Sequence, residues 1–327
     1  VADYYGVVVE VTKTNRPYSR AVISQMQFGL EYLFGDTELL EANTVSEISP
    51  VSECVFVGQT NFTIVGAGDR FGALSATSLL NALQSSQEVY VSATIDGTAR
   101  EFGTYYLDDW VAQDGIRVQF KCVDIIGMMS KRDCIGGMFN GTPLATVLNT
   151  LFSSFGVTFK VDSALSAETL TGWIPVTDYR TALQYVCFAI GAVAIVTPEN
   201  TIRVTPLQEA ILSTFDRDRK FIGQTLERRK EITDVQVTSH TYTPATGDKL
   251  KVLDQAYDVG LWDIYFDKPL TNYEITGATI EVQHPNMITI DVTVAGTVTV
   301  LAHEYLDETT LARVQRQTPL AGGARTY

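Results

Sequence analysis

The stretch from Gly141 to Pro206 carries the densest punctuation in the chain, and it dictates helix, strand, helix and hairpin in that order. Thr142-Pro143 reads as an N-cap followed by proline at the first helical position, where a missing N–H costs nothing. Leu144, Val147, Leu148, Leu151, Phe152 and Phe155 recur at the spacing of one helical face, and Gly156 is placed to stop that helix. Val157–Val161 alternates as a strand does. Thr177 opens a second helix whose apolar face is Leu183, Val186, Cys187 and Ile190, with Gly191 as its stop. Ala192–Val196 and Thr201–Thr205 make a hairpin about Pro198-Glu199-Asn200. The apolar stripes hold no polar group, so this α/β module is built for packing rather than for chemistry.

Most of the remaining chain reads as β. Strands are expected at Val7–Val11, at Tyr18–Met26 and within Ser52–Val65, the last broken at Gly58. Val89–Ile95 and Thr98–Leu107 form a hairpin about Asp96-Gly97, a pair that supplies the positive φ values of a tight turn. Arg117–Ile126 is the next strand, and Leu74, Leu79, Leu80 and Leu83 place one short helix within Phe71–Ser85. After Pro206, strands are expected at Val235–Tyr242, with Val235, Val237, Ser239 and Thr241 on one side, and at Leu261–Phe266, Ala278–Gln283, Met287–Val294 and Thr297–His303. Glu304–Gln317 reads as a helix, and Pro319–Tyr327 as a tail. The fold class is therefore mainly β with an α+β component.

A chain of 327 residues can bury a sizeable core in two or three domains. Its 24 Lys and Arg against 38 Asp and Glu give a net charge of −14, which argues against general affinity for nucleic acid phosphates. No apolar run approaches the about 20 residues that cross a bilayer, and Val1–Tyr5 has neither the basic nor the apolar region of a signal peptide. Cys54, Cys122 and Cys187 lie among apolar neighbours and read as small core residues, while Cys134, beside Gly136-Gly137, is expected to be the most exposed. The cysteines form no Cys-x-x-Cys pair and His240, His284 and His303 are scattered, so no metal site and no cofactor is expected.

Three motifs have both a chemical and an ordinary reading. Asp108-Asp109 beside Trp110 could be paired carboxylates for acid–base work, or a turn cap in which Asp bonds its own backbone; no nearby His or further carboxylate supports the first, and no catalytic residue is assigned. Gly66–Gly72 (GAGDRFG) is glycine-rich but lacks the Lys-Ser/Thr of a phosphate-binding loop and reads as a flexible loop. Asp216–Lys220 and Glu227–Glu231 are mixed-charge runs; they are either solvated faces or, through Arg217, Arg219, Lys220, Arg228, Arg229 and Lys230, a partner-binding surface.

A wider pattern joins these pieces. Phe102-Gly-Thr-Tyr-Tyr-Leu-Asp-Asp-Trp110 precedes Val118-Gln-Phe-Lys-Cys-Val-Asp-Ile-Ile-Gly127. Gly172-Trp-Ile-Pro175, Tyr179-Arg-Thr-Ala-Leu-Gln184 and Ile202-Arg-Val-Thr-Pro206 follow, and Val45–Val55 (VSEISPVSECV) lies upstream. From about Thr44 to Thr243 this order resembles the baseplate hub, or tail-tip, proteins of bacteriophage tails and related tail-like particles. The resemblance implies two β-barrel-like domains, at 1–127 and 207–327, flanking an α/β insert at 128–206.

It further implies a structural role without catalysis in the virion tail, after assembly in the bacterial host cytoplasm. A homotrimer with two similar barrels per chain would make a quasi-six-fold ring, adapting a six-fold tube to a three-fold tip. The implied partners are the tail tube or distal tail protein, the tape measure protein and central spike or receptor-binding proteins. DNA would pass only in transit, through a lumen richer in Asp and Glu than in Lys and Arg. Two other classes stay open on the residues alone. A carbohydrate-binding adhesin or fibre module would use exposed members of the 15 Tyr and 15 Phe, and a peptidoglycan hydrolase would need convergent carboxylates or a Cys/His pair.

Overall fold

The computed structural model describes residues 7–12, 31–34, 39–45, 54–66, 86–95, 98–113, 116–206 and 234–315. It is mainly β, as the sequence implies. The chain divides into two compact units: Val1–Cys134 with Thr142–Leu170 and Val176–Leu207, and Ile135–Gly141 with Thr171–Pro175 and Gln208–Tyr327. The strand expected at Tyr18–Met26, the helix within Phe71–Ser85, most of the loop Gly66–Gly72 and the tail Pro319–Tyr327 lie outside the described residues.

The first unit is built on β1 (Val7–Thr12), β2 (Glu31–Phe34), β3 (Leu39–Val45), β4 (Gln59–Val65), β5 (Glu88–Ile95), β6 (Thr98–Gln113) and β7 (Arg117–Val123). They form one curled sheet in the order β2-β1-β5-β6-β7-β4-β3. The β5–β6 register sets Ile95 opposite Thr98, as a two-residue turn requires. Alternation decides the faces: Val118, Phe120 and Cys122 of β7 point inward while Arg117, Gln119 and Lys121 point out. With Phe62, Ile64, Val89, Val91, Tyr105 and Leu107 they make one core, in which Phe62 and Phe120 stack at 4.9 Å. Each such side chain contributes roughly 1.5–3 kcal/mol by burial. The expected strand Arg117–Ile126 stops at Val123, because Asp124 caps the short helix α1 (Ile125–Met129).

Next come β8 (Asp133–Cys134), β9 (Gly137–Pro143), α2 (Leu144–Phe152), β10 (Phe159–Val161), β11 (Thr169–Ile174), β12 (Thr177–Asp178), α3 (Tyr179–Ala189), β13 (Ala192–Val196) and β14 (Ile202–Pro206). Leu144, Val147, Leu148, Leu151 and Phe152 are all buried, so the helical face read from the sequence is the packed one. The start of α2 is displaced by one residue. Pro143 is the N-cap and Thr142 remains in β9, since the Leu144 N–H donates to Glu168 O at 2.9 Å and needs no Thr142 side chain. The second helix likewise begins after Asp178, not at Thr177: Asp178 Oδ1 accepts the Thr181 N–H at 2.9 Å. Leu183, Val186 and Cys187 are buried as expected, and Gly191, at φ +63°, stops the helix. Cys134 corrects the sequence reading: it is 1% exposed, held in β8 opposite Thr177 of β12 rather than in an open turn, whereas Cys54 is only half-buried.

The second unit contains β15 (Asp234–Pro244), β16 (Leu250–Tyr257), β17 (Gly260–Tyr265), β18 (Leu270–Thr276), β19 (Thr279–His284), β20 (Met287–Val292) and β21 (Gly296–Gln315). β21 is the spine, pairing β16, β18 and β15 along its length. A second sheet runs β17-β20-β19. Ile264, Ile288, Ile290 and Val292 from that sheet share one core with Val298 and Val300 of β21. Over its described residues the helix expected at Glu304–Gln317 is absent: β21 continues unbroken through Gln315, laddered to β15 from Tyr305↔Pro244 to Gln315↔Asp234. Helix propensity is a weak prior, and Tyr305, Thr309, Thr310 and Val314 suit a strand once a partner strand is present.

Candidate functional site

The six cations singled out from the sequence, Arg217, Arg219, Lys220, Arg228, Arg229 and Lys230, lie outside the described residues. Asp108 and Asp109 do not converge. Asp108 pairs with Lys131 at 2.6 Å and Lys121 at 3.9 Å, while Asp109 accepts its neighbour Trp110's N–H at 2.8 Å. This is surface ion pairing and a local backbone bond at the register shift between Leu107 and Asp109 inside β6, so the pair caps no turn and does no acid–base work. Among the described residues, no group of three or more His, Cys, Asp or Glu is placed to hold a metal ion, and no helix is long and apolar enough to cross a membrane.

The motif positions at Asp124–Gly127 form a locked joint in the first unit. Asp124, 3% exposed, accepts the Gly58 N–H on Oδ2 at 2.6 Å and the Gly127 N–H on Oδ1 at 2.8 Å, so one carboxyl caps α1 and anchors the lead into β4. Burial pushes its pKa up to about 6, against the pull of those N–H bonds and of Arg180. Gly127 has no room for a side chain: a Cβ there would stand 2.6 Å from Val123 Cβ. A cavity of about 330 Å³ opens beside Asp124, walled by Phe56, Phe102, Tyr105, Ile195 and Val196.

A second joint lies in the second unit. Asn286 is fully buried. Its Oδ1 accepts the Trp173 indole N–H at 2.5 Å, and its Nδ2 donates to Ile135 O at 2.7 Å and Ile174 O at 2.8 Å. The Gly136 backbone sits so close that a Cβ would fall 2.1 Å from Ile174 O, and its φ is +70°. The sequence offers Pro285-Asn286 only as a turn. Nothing local signals partners 112 and 151 residues away.

The third feature is a surface. β15 and the end of β21 form a two-stranded ribbon of eleven paired positions, and from Leu306 to Gln315 no third strand joins it among the described residues. Its two faces differ. One carries Val235 opposite Val314, Val237 opposite Ala312, then Ser239, Thr310, Thr241, Glu308, Thr243 and Leu306. Val235, Val237 and Val314 there are 41%, 46% and 75% exposed. The other face holds the Asp234–Arg313 ion pair, Leu311, and His240 at 3.0 Å from Asp307 and stacked on Tyr242. Tyr242 meets Trp173 edge-on at 6.1 Å, which fixes the base of the ribbon beside the Asn286 joint.

No protein-family pattern and no curated protein matches the sequence. The fold is similar to three solved tail proteins. A 43 kDa tail protein of prophage MuSo2 from Shewanella oneidensis shares 15% identity at a TM-score of 0.41, over 63% of this chain and 57% of that one. A tail protein from Neisseria meningitidis MC58 shares 12% identity at 0.44, over 71% and 63%. The prophage tail protein gp18 from Listeria monocytogenes EGD-e shares 13% at 0.40, over 75% and 61%. The chain thus spans less than two thirds of the length of each.

Proposed function

We propose that the chain is a structural hub of a phage tail or tail-like particle, assembled as a trimeric ring at the tip. The ring adapts a six-fold tube to a three-fold tip and anchors spike or receptor-binding parts. The observation that carries this reading is the role of the motif positions. Tyr105–Leu107, Asp124–Gly127, Trp173–Pro175 and Tyr179–Gln184, which carry the sequence resemblance, supply strand core, capping turn, joint and helix of a mainly β scaffold. In this reading the residues that matter hold shape and do not turn over a substrate. The tail tube or distal tail protein, the tape measure protein and the spike are its neighbours in the virion. The basic residues of 217–230 face a protein partner, and the lumen is net acidic so that DNA slides through it.

Sedimentation of the purified chain, with end-on imaging of the particles, tests the reading. A trimer with three-fold views is expected; a chain monomeric at all accessible concentrations and absent from tail tips refutes it. Turnover of cell wall or glycan, abolished by one carboxylate substitution, would refute the non-catalytic part.

A further inference from the structure

The β15–β21 ribbon is costly to leave uncovered. A two-stranded ribbon with an unpacked face is marginal in water, yet among the described residues this one runs ten residue pairs, from Leu306 to Gln315, without a third strand and carries three exposed valines on one face. We propose that this face, at Val235, Val237, Ala312 and Val314, packs against a second copy of the chain and is the contact through which the ring closes. The inference rests on the trimeric-ring reading above and deepens it by naming the surface.

Charge selects the face. The chain carries a net −14, so two copies repel one another at long range and can meet closely only where charge is sparse. Of the ten positions on the valine face between Val235 and Thr243 and their partners, Glu308 alone is ionic, and it lies toward the base, away from the four apolar residues. The opposite face carries Asp234, Arg313, His240 and Asp307, already satisfied by one another.

Area selects a ring over an isolated pair. Eleven residues at a rise of about 3.4 Å make a ribbon about 37 Å long, and two strands make it about 10 Å wide. One face therefore covers about 370 Å², short of the roughly 800 Å² per partner of a stable two-body interface. In a closed ring each contact still covers about 370 Å² per copy, but every copy is held by two such contacts at once, and closure supplies the avidity that an isolated pair lacks.

The test compares two variants that place carboxylates on opposite faces of the same ribbon in the full chain. Val237→Asp/Val314→Asp places carboxylates on the valine face; Leu311→Asp places one on the other face, at a residue 60% exposed. Sedimentation should show the wild type and Leu311→Asp assembled, and the double variant dissociated, with assembly weakened by about 100-fold or more. Its thermal unfolding should match that of a diluted, monomeric wild type. Hydrogen exchange on the wild type supplies a readout free of mutation: amides of 235–237 and 312–314 should gain protection on assembly. An assembled wild type with an equally assembled double variant, or with unprotected ribbon amides, overturns the ribbon contact and leaves the ring standing. A wild type that never assembles overturns the ring, and the ribbon contact with it.

Discussion

The Trp173 indole N–H donates to Asn286 Oδ1 at 2.5 Å, across 113 residues of sequence. The same Asn286 side chain donates both its N–H groups onward, to Ile135 O and Ile174 O, so the buried amide has no hydrogen-bonding capacity to spare on its donor side. Removing it leaves two carbonyls and an indole N–H without partners. Asn286→Leu should therefore destabilise the second unit by roughly 3 kcal/mol or more, since each orphaned buried group costs about 1–3 kcal/mol. Denaturant unfolding followed by Trp fluorescence measures it. A loss under 1 kcal/mol would mean that water reaches the joint.

Gly136 belongs to the same joint and fails for a different reason. Its φ of +70° and the 2.1 Å approach of a would-be Cβ to Ile174 O leave Ala no place. Gly136→Ala should cost at least as much as Asn286→Leu. The pair should be strongly non-additive in a double-mutant cycle, because both act on the same carbonyl.

Asp124 gives a pH dependence whose sign is opposite to that of most carboxylates. Its native pKa of about 6 stands above the ordinary 3.8, so the native chain binds this proton more tightly than the unfolded one does. The stability that follows is fully present below about pH 4 and is lost as pH rises through 6, at most about 3 kcal/mol in all. Asp162, Asp234 and Asp254, held low by their hydrogen bonds, contribute in the opposite sense, with stability that is lost in acid. The clean measurement is a difference. Wild type minus Asp124→Asn, by urea unfolding at pH 4.5 and 7.5, should favour the wild type more at pH 4.5. A difference independent of pH would contradict the raised pKa.

Leu151, 4% exposed in the middle of the α2 stripe, has no polar group to meet a charge. Leu151→Asp should cost several kcal/mol and unfold the helix against its neighbours. Circular dichroism and thermal unfolding check it, and wild-type stability would show the stripe to be misplaced.

These cases mark how far the sequence could be read. The α2 stripe was legible because a helix buries every third and fourth residue, and that period is written in Leu144, Val147, Leu148 and Leu151 themselves. The alternation of Val235, Val237, Ser239 and Thr241 was legible too, but alternation names a face without saying what covers it, and this face points to solvent. The first part of β21 reads as the strand it is, at Thr297–His303, but its end reads as a helix because it is exposed and lacks a hydrophobic period of its own; the conformation there comes from β15, some 70 residues earlier. Asp124 sat at the end of a run that reads as strand, and its Gly58 partner is 66 residues distant. The Asn286 joint was beyond reach for the same reason. The cations at 217–230, the one partner-binding guess drawn from residues, fall outside the described chain.

The second unit draws on three separate stretches, two short ones before residue 176 and a long one after residue 207. On the ribosome, Ile135 and Ile174 emerge long before the side chain that will clamp them. At roughly 5–20 residues per second, Asn286 follows them by roughly 5–30 s. During that interval the first sheet and the helices α1, α2 and α3 can already have folded, while the two short stretches wait with their carbonyls bonded to water. The joint thus closes well after its two short stretches have emerged, and only the ladders of β21 with β15, β16 and β18 follow it; a chain released before Asn286 would hold a finished first unit and no second one.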